Sequence, residues 1–211
     1  MTKAHSIQGE HFQFHTSGGV FWEEENMLLI ADVHLGKAAH FRKNGMAVPD
    51  KINQTSLNRL EGLCQTFKAA TICFLGDLFH SEFNHEWEAF KKWAETCNRK
   101  LILIKGNHDI LPAEHFELMK MKVLESLSIR NFYLTHHPEE HKEKFNICGH
   151  IHPGIRLKGP ARQTLKLACF FQETRRLILP SFGEFTGNFT IKPGKNDQVF
   201  AITPDEVILV S

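Results

Sequence analysis

The chain lacks any run approaching the roughly 18 consecutive apolar residues of a membrane-spanning helix, so no membrane partner is expected. Its first residues, Met1-Thr2-Lys3-Ala4-His5, lead into polar sequence instead of the apolar region of a signal peptide, which makes a cytoplasmic location the expectation. No Cys-x-x-Cys is present. The 5 cysteines, Cys64, Cys73, Cys97, Cys148 and Cys169, are scattered and odd in number, which argues against a disulfide framework or a thiolate zinc site and leaves them as small core residues. Internal repeats, low-complexity segments and linkers are also missing, so the 211 residues read as one domain, 1-211, able to bury a large fraction of its surface unaided. Nor is there an excess of charge of one sign. The net charge of +1 excludes neither an anionic nor a neutral partner, because local clusters decide binding.

Histidine, by contrast, is plentiful: 14 residues, several of them at the ends of apolar runs. The stretch Leu28-Leu29-Ile30-Ala31-Asp32-Val33-His34-Leu35-Gly36-Lys37 reads as a buried strand ending in an acid and an imidazole two positions apart, ahead of a glycine. Side chains alternate along a strand, so Asp32 and His34 project together from its carboxyl end, where open α/β sheets place their ligands. An isolated Asp-x-His is more often an N-cap or a solvated turn. The recurrence of similar endings downstream gives this one its weight.

Residues 10 to 30 read as short strands, with His11 to His15 and Val20 to Trp22 preceding Met27 to Ile30. A polar loop with Gly45 and Pro49 then leads to Asp50, which can cap a helix carrying Ile52, Leu57, Leu60, Leu63 and Phe67 at helical spacing. Thr71 to Leu75 is a second buried strand, ending in Gly76-Asp77-Leu78-Phe79-His80. A helix around Trp87, Phe90, Trp93 and Ala94 follows, and Leu101 to Lys105 ends in Gly106-Asn107-His108-Asp109. This alternation argues for parallel strands with helical crossovers. Pro112 and Glu114 open a short helical segment, after which the texture changes to short strands. They include Val123-Leu124, Ile129 to Leu134 leading into Thr135-His136-His137-Pro138, and Phe145 to Cys148 leading into Gly149-His150-Ile151-His152-Pro153. Leu165 to Phe171, Leu177 to Pro180, Asn188 to Ile191 and Val207 to Val210 continue the pattern, so a second sheet packed on the first is expected.

Candidate ligands thus stand at five strand ends: Asp32 with His34, Asp77, Asn107 with His108, His136, and His150 with His152. Nitrogen and oxygen donors without thiolates suit Mn²⁺, Fe²⁺ or Zn²⁺, and a shared aspartate is a common device for holding two ions roughly 3.5–4 Å apart. The glycines ahead of Asp77, Asn107 and His150 allow a tight exit from the strand and close backbone approach. The order Asp-x-His, Gly-Asp, Gly-Asn-His-Asp, His, Gly-His-x-His, spanning residues 32 to 153, resembles that of the calcineurin-like metallophosphoesterase superfamily. The segments Ala31 to Lys37, Gly76 to Ser81, Gly149 to Pro153 and Leu179-Pro180-Ser181-Phe182-Gly183-Glu184-Phe185-Thr186-Gly187 are similar to those of the ligase-associated DNA damage response endonuclease family, PdeM.

That resemblance implies an α/β fold, the metallophosphoesterase-type αββα sandwich of two packed mixed sheets flanked by helices. It also implies a two-metal-dependent phosphodiesterase, a DNA endonuclease of DNA repair, with Mn²⁺ as the expected ion and DNA, a DNA ligase and a helicase as partners. A nucleotide or lipid-pyrophosphate phosphohydrolase, or a non-catalytic scaffold, are the alternatives. By the same resemblance, one ion takes Asp32, His34, Asp77 and His152, and the other Asp77, Asn107, His136 and His150. His108 stabilises the transferring group or protonates the leaving alkoxide, and Asp109 orients it. The doublet His136-His137 leaves one ligand's register open, with His136 preferred because Pro138 follows where the loop turns away. His80 either contacts substrate or is a loop histidine satisfied by backbone. Lys37 heads one basic group with His40, Arg42 and Lys43. A second, Arg156, Lys158, Arg162, Lys166, Arg175 and Arg176, contains the single acid Glu173. Lys37, Arg162 and Lys166 are the candidates for phosphate contacts, against the plain alternative of solvated faces. Aromatic interleaving is limited to Phe170 and Phe171, so a single-strand stacking platform is not indicated. Leu179 to Gly187 reads equally well as a strand followed by a glycine-punctuated turn.

Overall fold

A computed structural model describes residues 1–37, 52–80, 85–160, 163–183 and 186–211; Asp50, the basic residues His40, Arg42 and Lys43, and Arg162 lie outside them. The first half builds β1 (Thr2–Ile7), β2 (Glu10–His15), β3 (Val20–Trp22), β4 (Met27–Ile30), α1 (Ile52–Phe67), β5 (Thr71–Leu75), α2 (His85–Thr96), β6 (Lys100–Ile104), α3 (Ala113–Glu117) and β7 (Met121–Leu124). These strands form one sheet in the order β1 to β7. The first four pair as an antiparallel meander, and β4 to β7 run parallel, with α1 and α2 as crossovers.

The second sheet contains β8 (Leu127–Ile129), β9 (Phe132–Leu134), β10 (Phe145–Cys148), β11 (Pro153–Lys158), β12 (Thr164–Glu173), β13 (Arg176–Ile178), β14 (Phe189–Thr190), β15 (Gln198–Ile202) and β16 (Val207–Leu209). Its path is β14-β11-β12-β13-β10-β9-β8, with β15 pairing β12 and β16. The two mixed sheets and their flanking helices make the α/β sandwich that the resemblance implies.

Alternation along the central strands explains the layers. Leu28, Ile30, Ile72 and Phe74 turn toward Leu60 and Leu63 of α1, Phe90 of α2 and Phe116 of α3. Their neighbours Met27, Leu29, Cys73 and Leu75 turn the other way, onto Phe132, Leu134, Ile147 and Phe170 of the second sheet. Each fully buried phenylalanine contributes roughly 1.5–3 kcal/mol of burial, so the rings concentrated between the sheets carry much of the packing. All five cysteines are buried, and burial pushes the Cys64, Cys73 and Cys169 thiols up to about 12, as expected of core residues. Among the described residues no helix is long and apolar enough to cross a membrane.

Three parts of the strand reading need correction. β1 carries no strand signal in the sequence, because all of it but Ile7 and the half-buried His5 is exposed and its sequence is polar. Ile129 to Leu134 is not one strand: Arg130, at φ +47°, and Asn131 form the two-residue turn of the β8–β9 hairpin. β15 is a further strand beyond those read from the sequence, with Val199, Phe200 and Ala201 all buried.

The pairing also produces an arm. The second half of β12 pairs β13, whereas Thr164 to Ala168 pair β11 beyond the carboxyl ends of β10 and β13. Phe170 belongs to the core between the sheets, so by alternation Lys166 and its cross-strand partner Arg156 stand on the face continuous with that interior. Lys158 is on the same face, and all three cations are exposed.

Candidate metal centre

The carboxyl ends of β4, β5, β6, β9 and β10 meet at one edge of the sandwich. The two loops leaving β4 and β5 run side by side: the amides of Asp32, His34 and Leu35 donate to the carbonyls of Gly76, Asp77 and Leu78 at 2.9–3.2 Å. This course requires unusual backbone. Asp32, His34, Asp77, His150 and His152 all have φ between +50° and +68°, a region that non-glycine residues rarely occupy and that recurs at functional sites. The preceding glycines allow the blocks to crowd together. A Cβ on Gly149 would lie 2.6 Å from Asp32 Oδ2, and one on Gly106 would overlap the Asp77 carboxylate.

Two groups of donors result. In one, His152 Nε2 lies 3.3 Å from Asp32 Oδ1 and 3.4 Å from His34 Nε2, which is in turn 3.9 Å from Asp77 Oδ2. In the other, His136 Nε2 lies 3.1 Å from Asn107 Oδ1, 3.2 Å from His150 Nδ1 and 3.5 Å from Asp77 Oδ1. Asp77 therefore spans both groups, one oxygen toward each. Asp32 is fully buried; its Oδ2 accepts the amide of His150 at 2.9 Å, while Oδ1 has no hydrogen-bond donor. Burial, reinforced by Lys37 and by His152, pushes His34 down to about 2, so it is a neutral imidazole. Burial also lowers His150, with His137 and His136 adding to the effect.

The tautomer of His136 follows from its other nitrogen. Nδ1 lies 2.9 Å from the Leu75 carbonyl and can only donate to it, so in the neutral ring the lone pair is on Nε2. That lone pair faces the Asp77 carboxylate and the Asn107 carbonyl oxygen. Acceptors converging on acceptors in a buried place fit divalent cations, and the fixing of a ring by a backbone carbonyl is a common outer support of a metal ligand. Within each of the sets Asp32, His34 and His152, Asp32, Asp77 and His136, and His136, His137 and His150, the potential ligand atoms lie within 4.8 Å of one another.

The structure brings together every candidate ligand read from the sequence. Of the doublet, His136 is buried between Leu75 and Asn107, whereas His137 is exposed with its ring centroid 4.1 Å from that of His150. His108 stands at the mouth, its side chain 41% exposed and its Nε2 4.0 Å from Asp77 Oδ2, and its amide donates to Asp77 Oδ1. The His80 ring is 4.8 Å from that of His108 and 5.5 Å from that of His34. Lys37 is near enough for its charge to be felt by Asp77, Asp32 and His34, although burial lowers its own pKa.

Asp109, which the resemblance places as the group that orients His108, meets that loop through the backbone. Its carboxylate accepts the amides of Gly106 at 2.9 Å and Phe79 at 3.2 Å, so it ties the Asn107 loop to the Asp77 loop. No described hydrogen bond joins it to the His108 ring. Burial pushes Asp109 up to about 6 against those two amides. On the periphery, Lys166 is exposed on the arm and donates to the Asn188 carbonyl. Phe170 and Phe171 are buried and unavailable for stacking.

Supporting residues escaped the sequence reading. Glu86, buried on α2, accepts the amide of Gly36. Arg59 of α1 donates to the carbonyls of Ser17 and Phe182. Neither position carries a local signal, since a glutamate in the first turn of a helix and an arginine on its face are ordinary.

The chain matches the family model described as calcineurin-like phosphoesterase over residues 26–183. No curated protein matches it. Among solved structures, Pseudomonas putida nuclease MPE is similar over 100% of both chains, at 25% identity and a TM-score of 0.83. A protein of unknown function from Aquifex aeolicus, AQ665, is similar over 60% of this chain and 78% of its own, at 18% identity and a TM-score of 0.45. Yfce, a phosphoesterase from E. coli, is similar over 86% of this chain and 96% of its own, at 12% identity and a TM-score of 0.46. With the family model spanning most of the sequence and all its ligand-bearing strand ends gathered into one centre, the chain belongs to the calcineurin-like phosphoesterase family.

Proposed function

We propose that this protein is a two-metal-dependent phosphodiesterase that cleaves nucleic acid, a DNA endonuclease with Mn²⁺ as its working ion. The observation that carries this reading is the convergence of carboxylate, imidazole and amide oxygen and nitrogen atoms on the two sides of Asp77, with a fully buried oxygen on Asp32 that has no hydrogen-bond donor. Asp32, His34, Asp77 and His152 would hold one ion, and Asp77, Asn107, His136 and His150 the other. When bound, such a pair acidifies water and neutralises phosphoryl oxygens.

The remaining chemistry falls to the chain itself. His108 is exposed enough to meet a substrate, and its amide bond to Asp77 fixes its loop against the centre. Its imidazole would place a proton on the leaving alkoxide. Asp109 would act through the backbone, holding the His108 loop in register with Phe79. Two features favour a polymeric anion over a small ester. Arg156, Lys158 and Lys166 form a cationic row on an arm that extends past the carboxyl ends of β10 and β13, the edge where the centre lies. The similar full-length structure at 25% identity is named a nuclease.

The test compares hydrolysis of bis-para-nitrophenyl phosphate, single-stranded DNA and double-stranded DNA, with Mn²⁺ and with chelator, for the wild type and His108→Ala. Cleavage of DNA and of the small diester is expected, abolished by chelator and reduced about 10²–10⁴-fold in the variant. Turnover of the small diester alone would move the substrate to nucleotides or pyrophosphates, and metal binding without any turnover would make the protein a scaffold.

A further inference from the structure

We propose that the turn Ser181-Phe182-Gly183 is a positioning brace for the Asp32 and His34 half of the centre; this rests on the two-ion reading above. The loop it would brace alternates into the left-handed region at Asp32 (φ +55°), His34 (φ +50°) and Gly36 (φ +92°). Two of these residues carry a Cβ, so the course persists only if the surroundings impose it. The parallel bonds to Gly76, Asp77 and Leu78 hold one side of the loop.

The turn holds the other side. The Phe182 amide donates to the Ala31 carbonyl at 2.9 Å and the Gly183 amide to the Asp32 carbonyl at 3.0 Å. The Ser181 hydroxyl donates to that same Asp32 carbonyl at 2.9 Å. The peptide that sets the direction of the Asp32 side chain thus receives two donors from one turn. Gly183 lies so close that a Cβ there would sit 2.5 Å from the Val33 carbonyl oxygen.

The brace is itself anchored. Phe182 is 1% exposed within the core beneath the helices, and Arg59 both caps its ring at 4.6 Å and donates to its carbonyl at 3.2 Å. A second bond from Arg59, to the Ser17 carbonyl at 2.8 Å, fixes the guanidinium. Thr186 closes the turn by donating to the Gly183 carbonyl at 2.7 Å. These contacts reach residues 31 to 33 and none of the loops bearing Asn107 and His136. The brace therefore acts directly on one ion and reaches the other only through the bond from the His150 amide to Asp32 Oδ2.

The test is calorimetric titration of metal-free protein with Mn²⁺, with electron paramagnetic resonance to distinguish single from paired ions, for the wild type, Ser181→Ala, Ser181→Thr and Gly183→Ala. Two sites are expected in the wild type. Gly183→Ala and Ser181→Ala should weaken one of them at least about tenfold, as loss of outer support does elsewhere, and the other clearly less. The paired signal should give way to that of a single ion, and Ser181→Thr should restore it. Two unchanged sites, or equal weakening of both, would overturn the proposal. If Gly183→Ala fails to fold, Ser181→Ala decides the matter, since it removes only the hydroxyl, with its contacts to the Asp32 carbonyl and the Thr186 hydroxyl, and adds no atom. A wild type that takes up fewer than two ions overturns the two-ion reading, and the brace with it.

Discussion

Asp77 is the side chain on which both halves of the centre depend. Its Oδ2 faces His34 and His108 while its Oδ1 faces His136 and accepts the His108 amide, so each oxygen serves a different group. Losing it would remove charge from both groups and release the His108 loop. Asp77→Ala is accordingly expected to lose both ions, at least about 100-fold in affinity for each, beyond the usual cost of an outer-shell change. Activity should fall with them. Asp77→Asn keeps the amide contact and the volume but removes the charge, so it should retain the fold and still bind poorly. Metal analysis of the purified variants checks this, and an Asp77→Asn protein with two tightly held ions would contradict the shared-ligand role. His108→Ala should behave in the opposite way, keeping metal while losing turnover.

At the scale of elements, the strand ends were legible in the sequence because each combined an apolar run with a glycine or a paired ligand. β4, β5, β6, β9 and β10 are short, buried and sharply punctuated, which leaves little ambiguity in where their side chains point. β1 was not legible, since a mostly exposed edge strand needs no apolar alternation, nor was the β8–β9 turn, whose left-handed residue is an arginine. The brace at residues 181–183 was readable as a turn. What it touches was not, because Asp32 lies 149 residues away and the pairing depends on the whole sandwich. The arm illustrates the same limit: the basic residues were visible, but only strand register puts Arg156, Lys158 and Lys166 on one face. Replacing these three by serine should weaken DNA binding and reduce its salt slope by about two to three, at 0.7–0.9 per lost phosphate contact. Hydrolysis of bis-para-nitrophenyl phosphate should be unaffected. Binding measured across a salt series checks the slope, and equal loss on the small diester would indicate damage to the fold.

Across the whole molecule, the centre joins the two sheets. Asp32, His34, Asp77 and Asn107 come from the first, whereas His136, His150 and His152 follow strands of the second. Each proposed ion takes ligands from both sheets, so binding would link them across the edge of their shared core. It would also relieve the burial of the Asp32 and Asp77 carboxylates, which lie beside each other's ligands with one oxygen of Asp32 lacking a donor. Metal should therefore stabilise the entire sandwich rather than one loop. An ion present at 100 times its dissociation constant adds about 2.7 kcal/mol to a folded state that alone binds it. For a domain of 150–250 residues, each kcal/mol raises Tm by roughly 2–4 °C, so two ions correspond to about 10–20 °C. Calorimetry of the metal-free protein against increasing Mn²⁺ should show one transition moving upward with the logarithm of free metal. Both the aromatic signal from the core and the far-ultraviolet signal from the helices should shift together. Asp77→Ala should give a flat response. If wild-type Tm rises while only one signal moves, the ions stabilise a local loop and do not join the sheets.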